Sequence, residues 1–388
     1  MRVLQLHCSY RIQAGEDSVV RAEAAMLERG GHEVVRYNPE NPTGARDSLS
    51  ALGRSLYNRR SAREVRELVE RTKPDVAHVH NTWFAASASV HDAIASCGVP
   101  IAMTVHNYRL ACISSDLFRD GEVCTACVGV GPWAGVRHRC YRDSLPLSLI
   151  AASEIAVNRR RGTVLDNVDR FVAPTAFLGD RLVEMRLPPD RIVVKPHFVA
   201  DPGARTRPAA ESDEVVFVGR LAAGKGIELL VEAWETAALP GLRLVVMGDG
   251  PLRPWLEERA GPTVEVAGWC EHDAVMARLL DARSLVFTSE WFEPFGMVLI
   301  EALGAGLPVV ATDVAGVRGI LDPPAHLVVP PGRADLLAGA LAHLADPAVV
   351  AAESARARAR FEDHFTESAN LPLLEAIYAD AIAHRGVR

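Results

Sequence analysis

The 388-residue chain has no run of eighteen or more apolar residues, so it offers no hydropathy-type membrane-spanning helix. Its first residues, Met1 to His7, have the look of a strand and lack the zones of an export signal. The expectation is a cytoplasmic, reducing setting, in which the seven cysteines are not expected to form disulfides. Excess positive charge is missing too. A formal net charge of −7 argues against nucleic acid as the main partner. The charge is uneven, with 26 Lys and Arg against 22 Asp and Glu in residues 1–200, and 16 against 27 in the rest. The basic first half would suit an anionic acceptor or peripheral contact with an anionic membrane surface. Ordinary surface scatter gives the same count, because Arg159-Arg160-Arg161 is the one dense basic run.

The length is enough for two domains, each with its own core. Apolar strand candidates at Met1–His7, Glu33–Tyr37, Asp75–His80 and Val99–Val105 alternate with helical periodicity, the pattern of a parallel, doubly wound sheet. Val19–Arg29 is amphipathic and closed by Gly30-Gly31, and Ser61 with Glu64 spells a capping box for a helix ending at Arg71. Further helices are expected from Ser144 to Arg161 and from Phe177 to Met185. The Pro-, Gly- and polar-rich stretch Ala200–Ser212 has linker composition. Strands are expected again at Glu214–Val218, Leu242–Met247 and Thr263–Ala267, and helices at Ala334–Leu344, Val349–Phe365 and Glu367–Ala383.

Polar residues gather where strands end. His78, His80 and Asn81 close one strand and His106-Asn107 the next, and ligands of open parallel sheets bind outside the carboxyl ends of strands. His78 and His80 share a face in extended structure, which leaves a metal as one option. Gly15, just before Glu16-Asp17, opens a helix where backbone N–H groups could meet an oxygen-rich ligand. An insert over residues 108–143 holds Cys112, Cys124, Cys127 and Cys140 in the spacing C-x11-C-x2-C-x12-C. A C-x2-C pair with two further thiolates could hold a structural zinc; the alternative is four free thiols.

In the second half, Gly219-x4-Gly224-Lys225 nearly spells a phosphate-cradling P-loop, but Gly226 stands where a Ser or Thr hydroxyl should hold magnesium. That argues against an ATPase or kinase. The stretch Ser289–Gly316, SEWFEPFGMVLIEALGAGLPVVATDVAG, joins a strand, an acidic turn, a helix and another strand. Glu293 and Glu301 flank the start of that helix. Anions there would compete with phosphate but can accept hydrogen bonds from vicinal diols, while the N–H groups of Phe295, Gly296 and Met297 serve other oxygens.

The run Glu293-Pro-Phe-Gly-Met-Val-Leu-Ile-Glu301-Ala-Leu, followed by Gly304, Gly306, Pro308 and Gly316, resembles the signature of retaining glycosyltransferases with the GT-B fold, the glycogen-synthase-like family four. The resemblance implies an α/β architecture of two Rossmann-like domains facing across a cleft. An acceptor-side domain would span 1–199, a nucleotide-sugar donor domain 200–365, and a helix over 366–388 would pack back across both. It implies that Arg220 and Lys225 clamp the donor diphosphate, that Glu293 and the Phe295–Met297 backbone hold sugar hydroxyls, and that Glu301 holds a ribose. His106 would lie near the donor sugar. Gly15 and the turn Gly248-Asp249-Gly250-Pro251 match the family, and Gly268-Trp269 falls where related enzymes hold the base. Ala14 departs from the family's two consecutive glycines. No cofactor is needed for chemistry in that family. The donor would be a nucleoside-diphosphate sugar, with UDP commonest, and the acceptor a polysaccharide or glycolipid intermediate or a small natural product. A sugar-nucleotide epimerase or a catalytically silent binding protein would keep the same pocket.

Overall fold

The computed structural model describes residues 1–9, 15–41, 55–322, 324 and 327–387. The chain forms two compact units. The first comprises residues 1–117, 125–197 and 370–388, and the second residues 118–124 and 198–369.

The first unit is built on β1 (Arg2–Leu6), β2 (Glu33–Tyr37), β3 (Val76–Val79) and β4 (Ile101–Thr104), with two later strands. A short antiparallel pair, β5 (Phe118–Arg119) with β6 (Glu122–Val123), groups with the second unit. The first sheet then closes with β7 (Arg170–Ala173) and β8 (Ile192–Val194), in the order β2-β1-β3-β4-β7-β8 and parallel throughout. The inner strands are buried along their whole length, which explains near-continuous apolar runs in place of alternation. His78 is the exception inside β3, and it is fully buried.

The second unit uses β9 (Glu214–Val218), β10 (Arg243–Met247), β11 (Val264–Gly268), β12 (Ser284–Phe287), β13 (Val309–Thr312) and β14 (Val328–Val329). Their order is β11-β10-β9-β12-β13-β14, again parallel. Counted within its own unit this is 3-2-1-4-5-6, whereas the first unit runs 2-1-3-4-5-6. Both orders reverse beside the unit's first strand, so each sheet has a crevice outside the carboxyl end of that strand. The crevice lies between β1 and β3 in the first unit and between β9 and β12 in the second.

Local chemistry sets the helix ends. Ser144 caps Leu145–Arg161 by accepting from Leu147 N–H, and Gly162 ends that helix in the left-handed region at φ 66°. Thr175 caps Ala176–Glu184 in the same way. The capping box expected at Ser61 is corrected: the helix spans Arg59–Thr72, and Asn58 is its cap, accepting from the N–H groups of Arg60 and Ser61. Ser61 already lies inside the helix, and Glu64 is drawn to Arg60 and the Tyr37 hydroxyl. The helix expected from Val19 begins at Gly15.

The last helix, Glu367–Val387, joins the first unit from Asn370 onward. Tyr378 is fully buried there, Asp380 pairs with Arg170, and Arg385 reaches Asp169 at 2.9 Å. Among the described residues no single helix is long and apolar enough to cross a membrane.

Candidate functional site

At the crevice of the second unit the chain leaves β9 as Gly219-Arg220 and leaves β12 as Thr288-Ser289. The loop after β9 ends at Gly226, which caps the helix Ile227–Ala237 with φ 66°. A Cβ at Gly226 would fall 1.9 Å from the Thr288 carbonyl oxygen. No serine or threonine fits there, so the P-loop reading fails on space as well as on sequence. Two hydrogen bonds lace the loop to the end of β12: Thr288 Oγ1 to the Lys225 carbonyl at 2.9 Å, and Glu290 N–H to the Gly224 carbonyl at 2.7 Å. A Cβ at Gly248 would lie 1.8 Å from the Gly219 carbonyl oxygen and one at Gly250 2.3 Å from that of Leu221, so this turn presses directly on the Arg220 loop.

These constraints deliver side chains of opposite sign. Lys225 Nζ lies 2.6 Å from Glu293 Oε2, which also accepts from Trp291 Nε1 at 2.8 Å and Ser289 Oγ at 3.1 Å. Three donors therefore fix one carboxylate oxygen, and among the described residues Glu293 Oε1 accepts nothing. Lys225, expected on a diphosphate, is paired with Glu293 in this ligand-free chain. Arg220 is exposed, and among the described residues no acidic side chain pairs with it. It is the free cation of the crevice.

Gly296 (φ 85°) opens the helix Met297–Gly304, and among the described residues the N–H groups of Gly296 and Met297 have no acceptor. Phe295 is buried and packs edge-on to Phe365. Glu301, one turn down, is mostly buried; burial holds its carboxyl above the usual range, opposed by His272 Nδ1 at 3.8 Å. Trp269 is exposed beyond β11. The structure thus places the expected donor residues on one unit, around one crevice.

The first unit's crevice is of another kind. His7 follows β1, His80-Asn81 follow β3 and His106-Asn107 follow β4. His80 Nδ1 lies 3.0 Å from His106 Nε2, and His106 stacks on His197 with ring centroids 5.1 Å apart. Behind them Glu23 accepts from Lys195 Nζ at 3.0 Å, and its other oxygen is 3.5 Å from His80 Nε2. Burial would raise the Glu23 carboxyl, but the Lys195 ammonium together with His80 and His197 outweighs it and holds Glu23 below the usual carboxylate range. Burial holds His106 and His80 well below the usual histidine range, and pushes His78 and His197 down to about 3. His106 therefore stands neutral. His80 and His106 line a small cleft with a cavity volume of about 90 Å³. Gly15 is the exposed first residue of its helix, and Ala14 lies outside the described residues.

Neither metal expectation finds a fitting ligand set. Among the described residues the one group of His, Cys, Asp and Glu close enough to share an ion is Glu23, His78 and His80. His78 spends one nitrogen on Tyr378 Oη at 2.8 Å and the other on Thr104 Oγ1 at 2.7 Å, and Lys195 already supplies the cation. Cys112, Cys124, Cys127 and Cys140, the expected zinc set, form no disulfide, and among the described residues no three of them stand within ligand distance of one another. Cys140 packs with Ile113, Ala151 and Ile155, while Cys112 Sγ sits 3.1 Å from Ser114 Oγ.

Sequence reasoning missed Glu23, Lys195, His197, Tyr378 and Trp291. For Glu23 a signal existed: a carboxylate on the apolar face between Val19-Val20 and Met26-Leu27, where a leucine would be expected. Tyr378 is 300 residues from His78 and left none.

Two α/β units with reversed-order crevices, one presenting glycine-bounded cations and carboxylates, define the GT-B fold class. Comparison with known proteins narrows the class. Residues 14–197 match the model described as Glycosyl transferase 4-like domain, and residues 212–346 match Glycosyl transferases group 1. The chain belongs to this family of glycosyltransferases. It is 34% identical over 259 residues to alpha-D-kanosaminyltransferase of Streptomyces kanamyceticus, covering 64% of this chain and 62% of the relative. It is 30% identical over 210 residues to glycogen synthase of Mycobacterium tuberculosis, covering 51% of this chain and 50% of the relative. The matches thus span between half and somewhat under two thirds of these curated relatives. Among solved structures, a glycosyltransferase from Rickettsia africae aligns with a TM-score of 0.69 at 16% identity, over 98% of both chains. Anabaena HepE in complex with UDP aligns at 0.66 and 16%, over 98% of this chain and 100% of that one. At such identity these two speak for the fold alone.

Proposed function

We propose that the protein is a retaining glycosyltransferase that moves a sugar from a nucleoside-diphosphate sugar, UDP-linked in the first instance, to a hydroxyl of a bacterial polysaccharide or glycolipid intermediate. The observation that carries this reading is the second unit's crevice. Exposed Arg220 and half-buried Lys225 follow β9, while Glu293, anchored through one oxygen, follows β12 with the other oxygen open. Donor phosphates would compete with Glu293 for Lys225 and take Arg220 outright, and the two cations would stabilise the departing diphosphate. Glu293 Oε1 and the Gly296 and Met297 N–H groups would take sugar hydroxyls, Glu301 a ribose, and exposed Trp269 the base. In a retaining displacement the donor phosphate accepts the acceptor proton, so no protein nucleophile is required. Neutral His106 would contribute a hydrogen bond, not a charge. UDP is named first because Anabaena HepE, which shares the fold, was solved in complex with it.

A small natural product is the second acceptor reading. For a lipid-linked acceptor, the insert offers exposed Val130 and Trp133, and the helix after it exposed Leu145 and Leu149, with Arg137, Arg139 and Arg142 close in sequence, a composition suited to an anionic membrane surface. The decisive experiment is thermal shift with UDP, GDP, TDP, ADP and magnesium–ATP on wild type and Arg220→Ala, followed by donor turnover with and without acceptor. Stabilisation by one nucleoside diphosphate that vanishes in Arg220→Ala supports the reading. Donor turnover without acceptor would point to an epimerase, and stabilisation by magnesium–ATP alone would end the assignment.

A further inference from the structure

The first unit's cleft is mostly apolar. Met103, Val105, Leu110, Ile155, Leu165 and Leu187 supply its walls. Among these walls the helix Leu145–Arg161 places two polar side chains one turn apart, Glu154 and Asn158, both facing the cleft. Asn158 donates through Nδ2 to Glu154 Oε1 at 2.5 Å. Its Oδ1 is buried and has no partner, with the residue only 9% exposed. Glu154 has no ion pair among the described residues. The two arginines of the cleft are engaged elsewhere: Arg109 lies 4.6 Å over the Trp83 ring and donates to the Ile113 carbonyl at 3.2 Å, and Arg159 donates to the Met185 carbonyl at 3.0 Å. Burial pushes the Glu154 carboxyl up to about 7, opposed by Arg109, as expected of a carboxylate held out of water without a partner cation.

An unpartnered amide oxygen stands beside a carboxyl that accepts one hydrogen bond, from Asn158, and has no ion pair, so both have acceptor capacity left. A hydroxyl would satisfy one of them. A protonated amine has three donors and a charge, and would satisfy both while restoring the missing ion pair. Trp83 lines the same cleft, with Arg109 over its ring. We propose that this cleft is the acceptor subsite and that it takes an amine-bearing acceptor, an aminosugar or aminocyclitol, whose ammonium sits between Glu154 and the Asn158 amide oxygen. The assignment rests on the glycosyltransferase reading above. The ammonium end is held at Glu154, and a ring hydroxyl is carried toward His106, which lines the same cleft.

The test uses the full chain and two probes that differ at one group, methyl glucosaminide and methyl glucoside, titrated calorimetrically with UDP titrated in parallel. The glucosaminide binds wild type at least about tenfold tighter than the glucoside, the scale of one buried charged hydrogen bond. Its binding releases protons, visible as a heat that changes with the ionisation enthalpy of the buffer, because the ammonium drives Glu154 to its ionised form. Glu154→Gln, which keeps the shape and the Asn158 contact, brings the two probes within twofold, and so does Glu154→Asp by withdrawing the carboxyl. Equal affinity of the two probes for wild type, no binding of the glucosaminide at any accessible concentration, or a preference that survives in Glu154→Gln overturns the proposal. UDP binding is independent of these variants, so its loss in wild type would mark failure of the donor reading instead.

Discussion

The two crevices of this protein sit at equivalent places in two parallel sheets and are furnished in opposite ways. The crevice between β9 and β12 is glycine-rich, partly open and charged, with Arg220 exposed and Lys225 held by Glu293. That between β1 and β3 is closed and nearly neutral: His7, His78, His80, His91 and His197 are buried in the first unit, whereas His272, His343 and His364 of the second are exposed. A charged diphosphate needs fixed cations and close backbone approach, which glycines allow. A neutral hydroxyl acceptor needs uncharged hydrogen-bonding groups in a dry wall, which buried imidazoles provide. One topology thus serves two chemistries, because strand order fixes where a ligand binds and the loop residues decide which.

The strongest way to sharpen this contrast is acid. Buried His78 and His197 titrate near 3 and His91 near 4, all below the 6.5 of an unfolded histidine. Below pH 6.5 the unfolded chain binds more protons than the folded one, so stability falls as pH drops from 6.5 toward 4. Each such histidine costs about 1.4 kcal/mol per pH unit. Acid titration followed by hydrogen exchange should show the first unit opening first, by several kcal/mol over two pH units; synchronous loss of both units would break the comparison. Next in size is Gly226→Ala, which pushes a Cβ into the Thr288 carbonyl at a positive φ. It should cost more than about 4 kcal/mol in chemical denaturation and be confined to the second unit. Arg220→Ala leaves the fold intact and should cut donor turnover about a hundredfold, measured as nucleoside diphosphate release. The smallest effect is Asn58→Ala, which removes a helix cap in the first unit and should lower stability by about 1 kcal/mol without moving nucleotide affinity.

Much of the second unit was legible in the residues. Its strands end in punctuation such as Gly219-Arg220 and Gly248-Asp249-Gly250, and the run from Glu293 to Glu301 carries turn, helix start and both carboxylates within one local segment. The helix at Met297 and the strands flanking it fall within a residue of where periodicity puts them. The first unit was legible as alternating strands and helices, and His80 and His106 stood out as polar residues at strand ends. Their partners did not stand out, since Glu23, Lys195, His197 and Tyr378 come from four distant segments.

By itself, then, the sequence determined what depends on short range: strand and helix periods, caps such as Ser144 and Thr175, the glycines that let backbones touch, and the motif that names the family. Only the tertiary structure decided which groups lose their water and which find partners. Burial among distant segments makes His106 neutral, keeps Glu23 ionised beside Lys195, and leaves the Asn158 amide oxygen without a donor beside Glu154. The physical reason is that solvation and pairing are set by whatever packs around a group in space, and neighbours in the chain supply only part of that surrounding.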